Sequence, residues 1–243
     1  MKKNLLFFTV RRPVLAAVAQ DTVAHIAVAL IAVVLVAVAL TGCGKQEGAK
    51  QERAKPKMDI DNETIRTIMN RKSVRAFTDE PVPAEYMEAM LKAAMAAPTG
   101  SNIQPWHFVV LTDKSRYEKM FEGNSNMHIY NSSAAVVVLC ADTTVTRVPK
   151  NDPDGVPVTK PNRMWRDDLG ACTENFLLAA ESLGLGAVWT ALYPFADCYT
   201  SVKCELGLPD YLMPYCAIAV GWPAGDNLPK DKWKPDRIHY ERW

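Results

Sequence analysis

The chain has six cysteines but no C-x-x-C pair, and none of its four histidines falls in an H-x-x-x-H pair. Zinc knuckles and iron–sulfur clusters therefore have no ligand set, and no metal site is expected. There is no G-x-S-x-G elbow and no P-loop, so hydrolase and nucleotidase chemistry lack their usual signals. Charge excess is also missing: 28 Lys and Arg stand against 27 Asp and Glu, which gives no reason to expect a nucleic-acid partner. What remains is a chain of 243 residues, 49% hydrophobic and 23% charged. That is enough to bury one full core, so a single globular domain is expected.

The first 42 residues read as a segment apart from that domain. Lys2, Lys3, Arg11 and Arg12 precede an uncharged apolar run of 15 residues, 26–40. As a helix it would span about 22 Å, short of the roughly 30 Å hydrocarbon core, which favours a signal segment over a membrane span. Leu40-Thr41-Gly42-Cys43 follows at once and resembles the lipobox of bacterial lipoproteins. That resemblance implies acylation of Cys43 and an exported protein held at a cell-envelope membrane, on its periplasmic or outer-surface side. The plain alternative is a small-residue turn after an apolar helix. Stable anchoring takes more than one acyl chain. Gly44, rather than an aspartate, after the cysteine is compatible with outer-membrane sorting. Arg11-Arg12 suggests twin-arginine export as another route, against which stand Pro13 and Asp21. Residues 43–58 then form a charged tether with little to bury.

The globular part is expected over residues 59–243. Asp61 is placed to cap a helix with Ile65, Ile68 and Met69 at helical spacing, ending near Asn70. Pro81 and Pro83 end an extended linker. Met87, Met90, Leu91, Ala94 and Met95 then recur at i, i+3 and i+4, which predicts an amphipathic helix with methionine as core filler, stopping before Pro98. Residues 106–111 read as a strand, and Thr112 or Asp113 as the cap of a helix through Phe121. Residues 134–140 are a continuous apolar run, short enough for a buried central strand. Residues 143–162 hold four prolines and a glycine without periodicity, and read either as a lid or as a plain surface excursion.

Trp165, Leu169, Cys172, Phe176, Ala180 and Leu183 recur by threes and fours, which predicts a long helix over 163–183 with a buried seam. Gly184-Leu185-Gly186 stops it, and a strand follows over 187–191. A helix over 197–206 and a strand over 215–221 complete the pattern. Beyond Cys43 there are five cysteines; three lie in apolar runs, where a buried thiol is the default. Cys198 and Cys204, six residues apart on one helix, have Cα atoms about 9 Å apart, too far for a disulfide. His107 and His128 read as ordinary surface or core residues.

Two stretches stand out chemically. Arg71-Lys72-Ser73-Val74-Arg75 packs three cations and a hydroxyl into five residues, which suits a doubly charged phosphate held by charge-assisted hydrogen bonds. A solvated basic turn is the bland alternative. Then Pro98 bars helix continuation and Gly100 permits positive φ, so backbone can approach a ligand while Thr99, Ser101, Asn102 and Gln104 offer donors and acceptors. A phosphate end and a polar planar end suggest a nucleotide-like ligand.

The paired motifs R-K-S-V-R-A-F and A-P-T-G-S-N-I-Q-P-W-H-F, in order and separated by one helix, resemble the FMN-dependent nitroreductase family. The resemblance covers most of residues 59–243. It implies an α+β fold with a mostly antiparallel central sheet flanked by helices, assembled as an intertwined homodimer whose FMN sites are shared between subunits. It implies FMN phosphate held by Arg71, Lys72, Ser73 and Arg75, with the ring along Pro98, Thr99, Gly100, Ser101, Asn102 and Gln104. The G-L-G-x-x-W segment implies that backbone around Val188, Trp189 and Thr190 faces the isoalloxazine; a buried tryptophan on a core strand fits the sequence equally well. In the tail Lys232-Trp233-Lys234-Pro235, either Lys232 or Lys234 is expected to return to the phosphate.

The implied activity is hydride transfer from NAD(P)H through flavin to an electron-poor acceptor such as a nitroaromatic or quinone. Because nicotinamide donors are scarce outside the cytoplasm, an exported protein would draw electrons from a membrane or protein partner instead. Two alternatives stay open: a membrane-anchored flavin-binding module without turnover, and a reductive dehalogenase of the same superfamily. No side chain stands out as a general acid, so no catalytic residue is assigned.

Overall fold

The structure, a computed structural model, describes residues 59–243. The expected signal segment, Cys43 and the tether lie outside them. Helix α1, Glu63–Asn70, is capped by Asn62, whose side chain accepts from the Ile65 N–H, and not by Asp61. The cap falls one residue later than expected, and the Asp61 carboxylate instead lies 3.5 Å from Arg66. The second helix, α2 (Ala84–Met95), follows Pro83 at its N-cap, where the missing N–H has no helical partner to lose. Met90 is fully buried there, but Met95 is half exposed, so only part of the methionine stripe fills the core.

After a 3-10 turn at Gly100–Asn102 come β1, Trp106–Leu111, and a short helix α3, Ser115–Met120. Asp113 accepts from both the backbone and the hydroxyl of Ser115 at that helix start. Helix α4, Met127–Ser132, leads into β2, Ala135–Asp142. Residues 143–162 are not aperiodic: they fold as a two-stranded hairpin of β3, Thr144–Arg147, and β4, Val158–Pro161. Four-residue strands interrupted by proline are too short to display an alternation in sequence, yet Thr146 and Thr159 join their hydroxyls across them at 2.7 Å. The long helix α5 runs over Trp165–Ser182, then β5 over Gly186–Ala191, α6 over Ala196–Leu206 and β6 over Leu212–Gly221. Gly184, with φ of 76°, makes the left-handed turn that ends α5.

The main sheet has the order β1-β2-β6-β5, antiparallel throughout. Strand β2 is one of its two interior strands, and its continuous apolar run is explained by helices on both faces. Val137, Leu139 and Ala141 pack with Met90, Leu169, Cys172 and Phe176 of α2 and α5. Val136, Val138 and Cys140 face the other way, onto Tyr117, Met120, Ile129 and Tyr130 of α3 and α4. Strand β6 begins earlier than its apolar run suggests and includes Pro214. The proline sits where pairing with β2 shifts register between Leu139 and Cys140, and a proline is tolerated at a bulge because no ladder donor is needed there.

Cys140, Cys172 and Cys216 are free and buried. Burial pushes the thiols of Cys140 and Cys172 up to about 12, so neither forms a thiolate at neutral pH. Among the described residues the basic segment attaches to the sheet without being a strand itself. Ser73 bridges Ala187 in parallel fashion and Phe77 bridges Pro223. Val74 is buried against Gly186, where an added Cβ would lie 2.7 Å from two carbons of the Val74 side chain. Gly186→Ala is therefore expected to destabilise the fold by about 1–3 kcal/mol, as overpacking does, read as a lower urea midpoint with an unchanged slope.

Candidate functional site

Local sequence explains why the cations face out. In Arg71-Lys72-Ser73-Val74-Arg75-Ala76-Phe77 the apolar Val74 and Phe77 are buried. The Val74 N–H donates to the Ala187 carbonyl at 3.1 Å. With those two residues held in the core, the polar ones line a cavity of about 250 Å³ together with Leu228, Lys230 and Lys232. Of the expected phosphate residues, Arg71, Lys72, Ser73, Arg75 and Lys232 are thus brought together. Lys234 does not line the cavity, because the chain turns into a short 3-10 segment at Pro235–Arg237. Lys230, which the sequence pattern did not single out, does line it. The alternation of lysines at 230, 232 and 234 marks all three alike, so the sequence carries no signal that separates 230 and 232 from 234.

Two carboxylates of α5 offset part of this charge. Arg71 Nε lies 2.9 Å from Glu174 and Lys72 Nζ 2.9 Å from Glu181. The Arg75 guanidinium donates to the Ser73 carbonyl at 3.3 Å. Five cations against two carboxylates leave an excess of three positive charges in one small concave site. That excess, with the Ser73 hydroxyl, fits a phosphomonoester rather than a neutral ligand.

The β5 residues divide by strand alternation. The Thr190 hydroxyl is buried, donating to the Ala217 carbonyl at 2.6 Å and meeting the Tyr130 hydroxyl at 2.6 Å. Burial pushes the Tyr130 phenol up to about 12. Val188 shares that face, so neither side chain reaches the sheet edge. Trp189 points to the α5 side, its ring 5.4 Å from Tyr215; Trp165 meets Tyr215 and Tyr193 edge-on. The Ala187 carbonyl points to the outer edge, towards Val74. Alternation then leaves the N–H and C=O of Trp189 on the same edge, beyond the point where the basic segment departs.

The loop over residues 98–104 has a different conformation from the expected one. Positive φ belongs not to Gly100 but to Ser101 (54°), Asn102 (55°) and Gln104 (54°), each held at a cost of roughly 1–2 kcal/mol. Gly100 is needed for close approach: an added Cβ would meet Met164 Cβ at 3.1 Å. Its N–H donates to Asp168 Oδ1 at 2.8 Å, Gln104 N–H donates to the Thr99 hydroxyl at 3.2 Å, and Arg147 of β3 donates to the Ser101 carbonyl at 3.0 Å.

This loop lies at the start of α5, whereas the basic cavity lies beside its second half. From Asp168 to Glu181 the helix rises about 20 Å. Within one chain, then, the structure joins the basic segment to β5 but does not bring residues 98–104 into the same cavity.

The chain matches the Nitroreductase family over residues 68–127 and 125–222. It is 34% identical over 184 residues to an Archaeoglobus fulgidus protein named for NADH dehydrogenase and NAD(P)H nitroreductase activity, covering 74% of this chain and 99% of that one. A crystal structure of a similarly described Parabacteroides distasonis protein superposes with a TM-score of 0.65 at 38% identity, covering 75% of this chain and all of the other. The NADPH:FMN oxidoreductase of Vibrio harveyi, solved with NAD+, superposes with a TM-score of 0.63 at 26% identity, covering 75% and 78%. With the antiparallel sheet, the flanking helices and the basic cavity already in place, these likenesses settle the kinship: the chain is a member of the nitroreductase family.

Proposed function

We propose that the protein is an FMN-dependent oxidoreductase that passes hydride from NAD(P)H to an electron-poor acceptor. The observation that carries this reading is the basic cavity: five cations and Ser73 around about 250 Å³, seated beside the exposed edge of β5. Relatives named for NADPH:FMN oxidoreduction and NAD(P)H nitroreduction support the same chemistry. Bound FMN would supply the hydride chemistry, with donor and acceptor using one pocket in turn. The chain supplies binding and orientation. Arg71, Arg75, Lys230 and Lys232 hold the phosphate, with Lys72 steadied by Glu181 and Ser73 adding its hydroxyl. The Trp189 backbone presents a donor and an acceptor to the ring edge, and an N–H fixed there stabilises negative charge on the ring.

The ring's other face is proposed to meet residues 98–104 of a second copy. Helix α1 supports this: it has no buried residue, and Ile68 and Met69 are 45% and 68% exposed. It flanks an apolar groove of about 450 Å³ that runs along α2 and α5. A homodimer packed through this groove would cover α1 and set the loop of one chain against the basic cavity of the other.

The exported-lipoprotein reading, with acylation at Cys43 and a position at the cell-envelope membrane, is proposed from Leu40-Thr41-Gly42-Cys43. Labelled palmitate should enter the protein in a bacterial host and be lost in Cys43→Ser; equal labelling of both would end that reading. Purified protein should be yellow and bleach anaerobically with NADH or NADPH, then recover on adding a nitroaromatic or quinone. Bound flavin that no nicotinamide reduces would instead select a module without turnover.

Arg75→Ala and Lys232→Ala should each weaken FMN binding about ten- to hundredfold, the range of a charge-assisted hydrogen bond, while Lys234→Ala leaves it unchanged. Fluorescence titration at two salt concentrations checks this, since the cation variants also flatten the salt dependence. Ile68→Glu should shift sedimentation from dimer to monomer and lower FMN affinity with it.

A further inference from the structure

Ser101, Asn102 and Gln104 all hold left-handed backbone without being glycine, and such a run persists only where its surroundings over-determine it. Most of the loop's hydrogen bonds are internal: Asn102 N–H to the Thr99 carbonyl at 3.1 Å, Ile103 N–H to the Gly100 carbonyl at 3.3 Å, and Gln104 N–H to the Thr99 hydroxyl at 3.2 Å. Those bonds close the loop on itself but do not fix it to the protein.

Two ties do fix it. Arg147 reaches the Ser101 carbonyl from the exposed β3–β4 hairpin. Asp168 reaches the Gly100 N–H from α5, and its side chain is buried, the residue being only 4% exposed. The two ties differ in rigidity, because α5 is packed into the core through Leu169 and Cys172 beside Asp168.

The setting of Asp168 is unusual for a residue kept only for packing. One oxygen is satisfied by Gly100, while Oδ2 is buried with no partner among the described residues. A buried carboxylate with a single hydrogen bond is a poor way to stabilise a core. Its place in the first turn of α5 makes the charge tolerable, since the helix N-terminus favours a negative group there. A side chain at Gly100 would crowd Met164, its Cβ lying 3.1 Å from the Met164 Cβ.

We propose that Asp168 is the positioning residue of the flavin loop: by accepting the Gly100 N–H, its carboxylate holds residues 99–104 in the strained form that meets the ring. The proposal rests on the flavin reading given above. It predicts that the hydrogen bond, not the charge, is what matters, because any oxygen held at that place accepts the Gly100 N–H.

FMN affinity of the purified full-length chain tests it, with the melting temperature and the exchange rate of the Gly100 amide as structural readouts. Asp168→Ala should weaken FMN binding by up to about tenfold, the upper range of one net hydrogen bond, with the Gly100 amide losing protection. Asp168→Asn keeps an oxygen towards Gly100 and should recover most of the affinity. Adding Ser101→Gly, which removes strain, should restore part of the alanine variant's loss. Equal affinity in Asp168→Ala and the unmodified protein, or an asparagine variant as weak as the alanine one, would overturn the proposal. Should the alanine variant not fold, the Gly100 amide of the unmodified flavin-free protein decides: protection supports the clamp, and exchange at the rate of an unstructured chain refutes it. If the unmodified protein binds no FMN, the flavin reading fails, and amide exchange still judges the clamp by itself.

Discussion

Helix α5 is locked onto the sheet, and among the described residues both the basic segment and the strained loop are tied to it. Leu169, Cys172, Phe176 and Ala180 are fully buried along one side of the helix, with roughly 1.5–3 kcal/mol of apolar burial from each of the larger side chains. Because the seam is continuous, the helix has no freedom to slide or rotate. Its two ends therefore act as fixed points: Asp168 at one, Glu174 and Glu181 towards the other. The strained loop hangs on the first and the basic segment on the second.

Under the proposed function, that arrangement separates electrostatics from geometry. The second half of α5 sets the electrostatics, placing carboxylates where they orient Arg71 and Lys72 without cancelling the positive excess. The first turn sets geometry, gripping a loop whose conformation is unfavourable in isolation. A rigid rod some 20 Å long keeps the two regions apart within a chain, and the two-copy assembly proposed above would bring them to one ligand. The exposed apolar side of α1 is consistent with the same assembly, since an amphipathic helix with no buried residue has an uncovered apolar face.

The aromatic residues around Trp189 show how the sheet serves the site indirectly. The indole packs on Tyr215, which is in turn met by Trp165, itself edge-on to Tyr193, and Thr190 is tied to Tyr130 on the opposite face. Both anchors immobilise β5, so the Trp189 backbone at the edge is held still by side chains pointing away from it. The strand edge thus gains rigidity from side chains on the two faces of the sheet.

Several elements are legible in consecutive residues. The seam of α5 shows as a clear helical period, the run at 134–140 as a buried strand, and the pairing of R-K-S-V-R with P-T-G-S-N-I-Q-P points to a phosphate and a planar ring. Periodicity and turn chemistry are local properties, so a linear chain displays them. The hairpin within 143–162 is hidden because four-residue strands carry no period. Asn62, not Asp61, caps α1, and because both are capping residue types the sequence does not choose between them. The amino-acid order is thus sufficient to mark the basic segment over residues 71–75, the polar loop over 98–104 and the α+β domain that holds both. It took the folded chain to put Lys230 and Lys232, not Lys234, in the basic cavity, to give Gly100 a role in close packing rather than in positive φ, and to set Asp168 on the loop. The difference is one of range. Charge, capping and periodicity act between neighbours in the chain, whereas the contacts of Gly100 with Asp168, Lys72 with Glu181 and Val74 with Gly186 exist only once distant segments have been packed together.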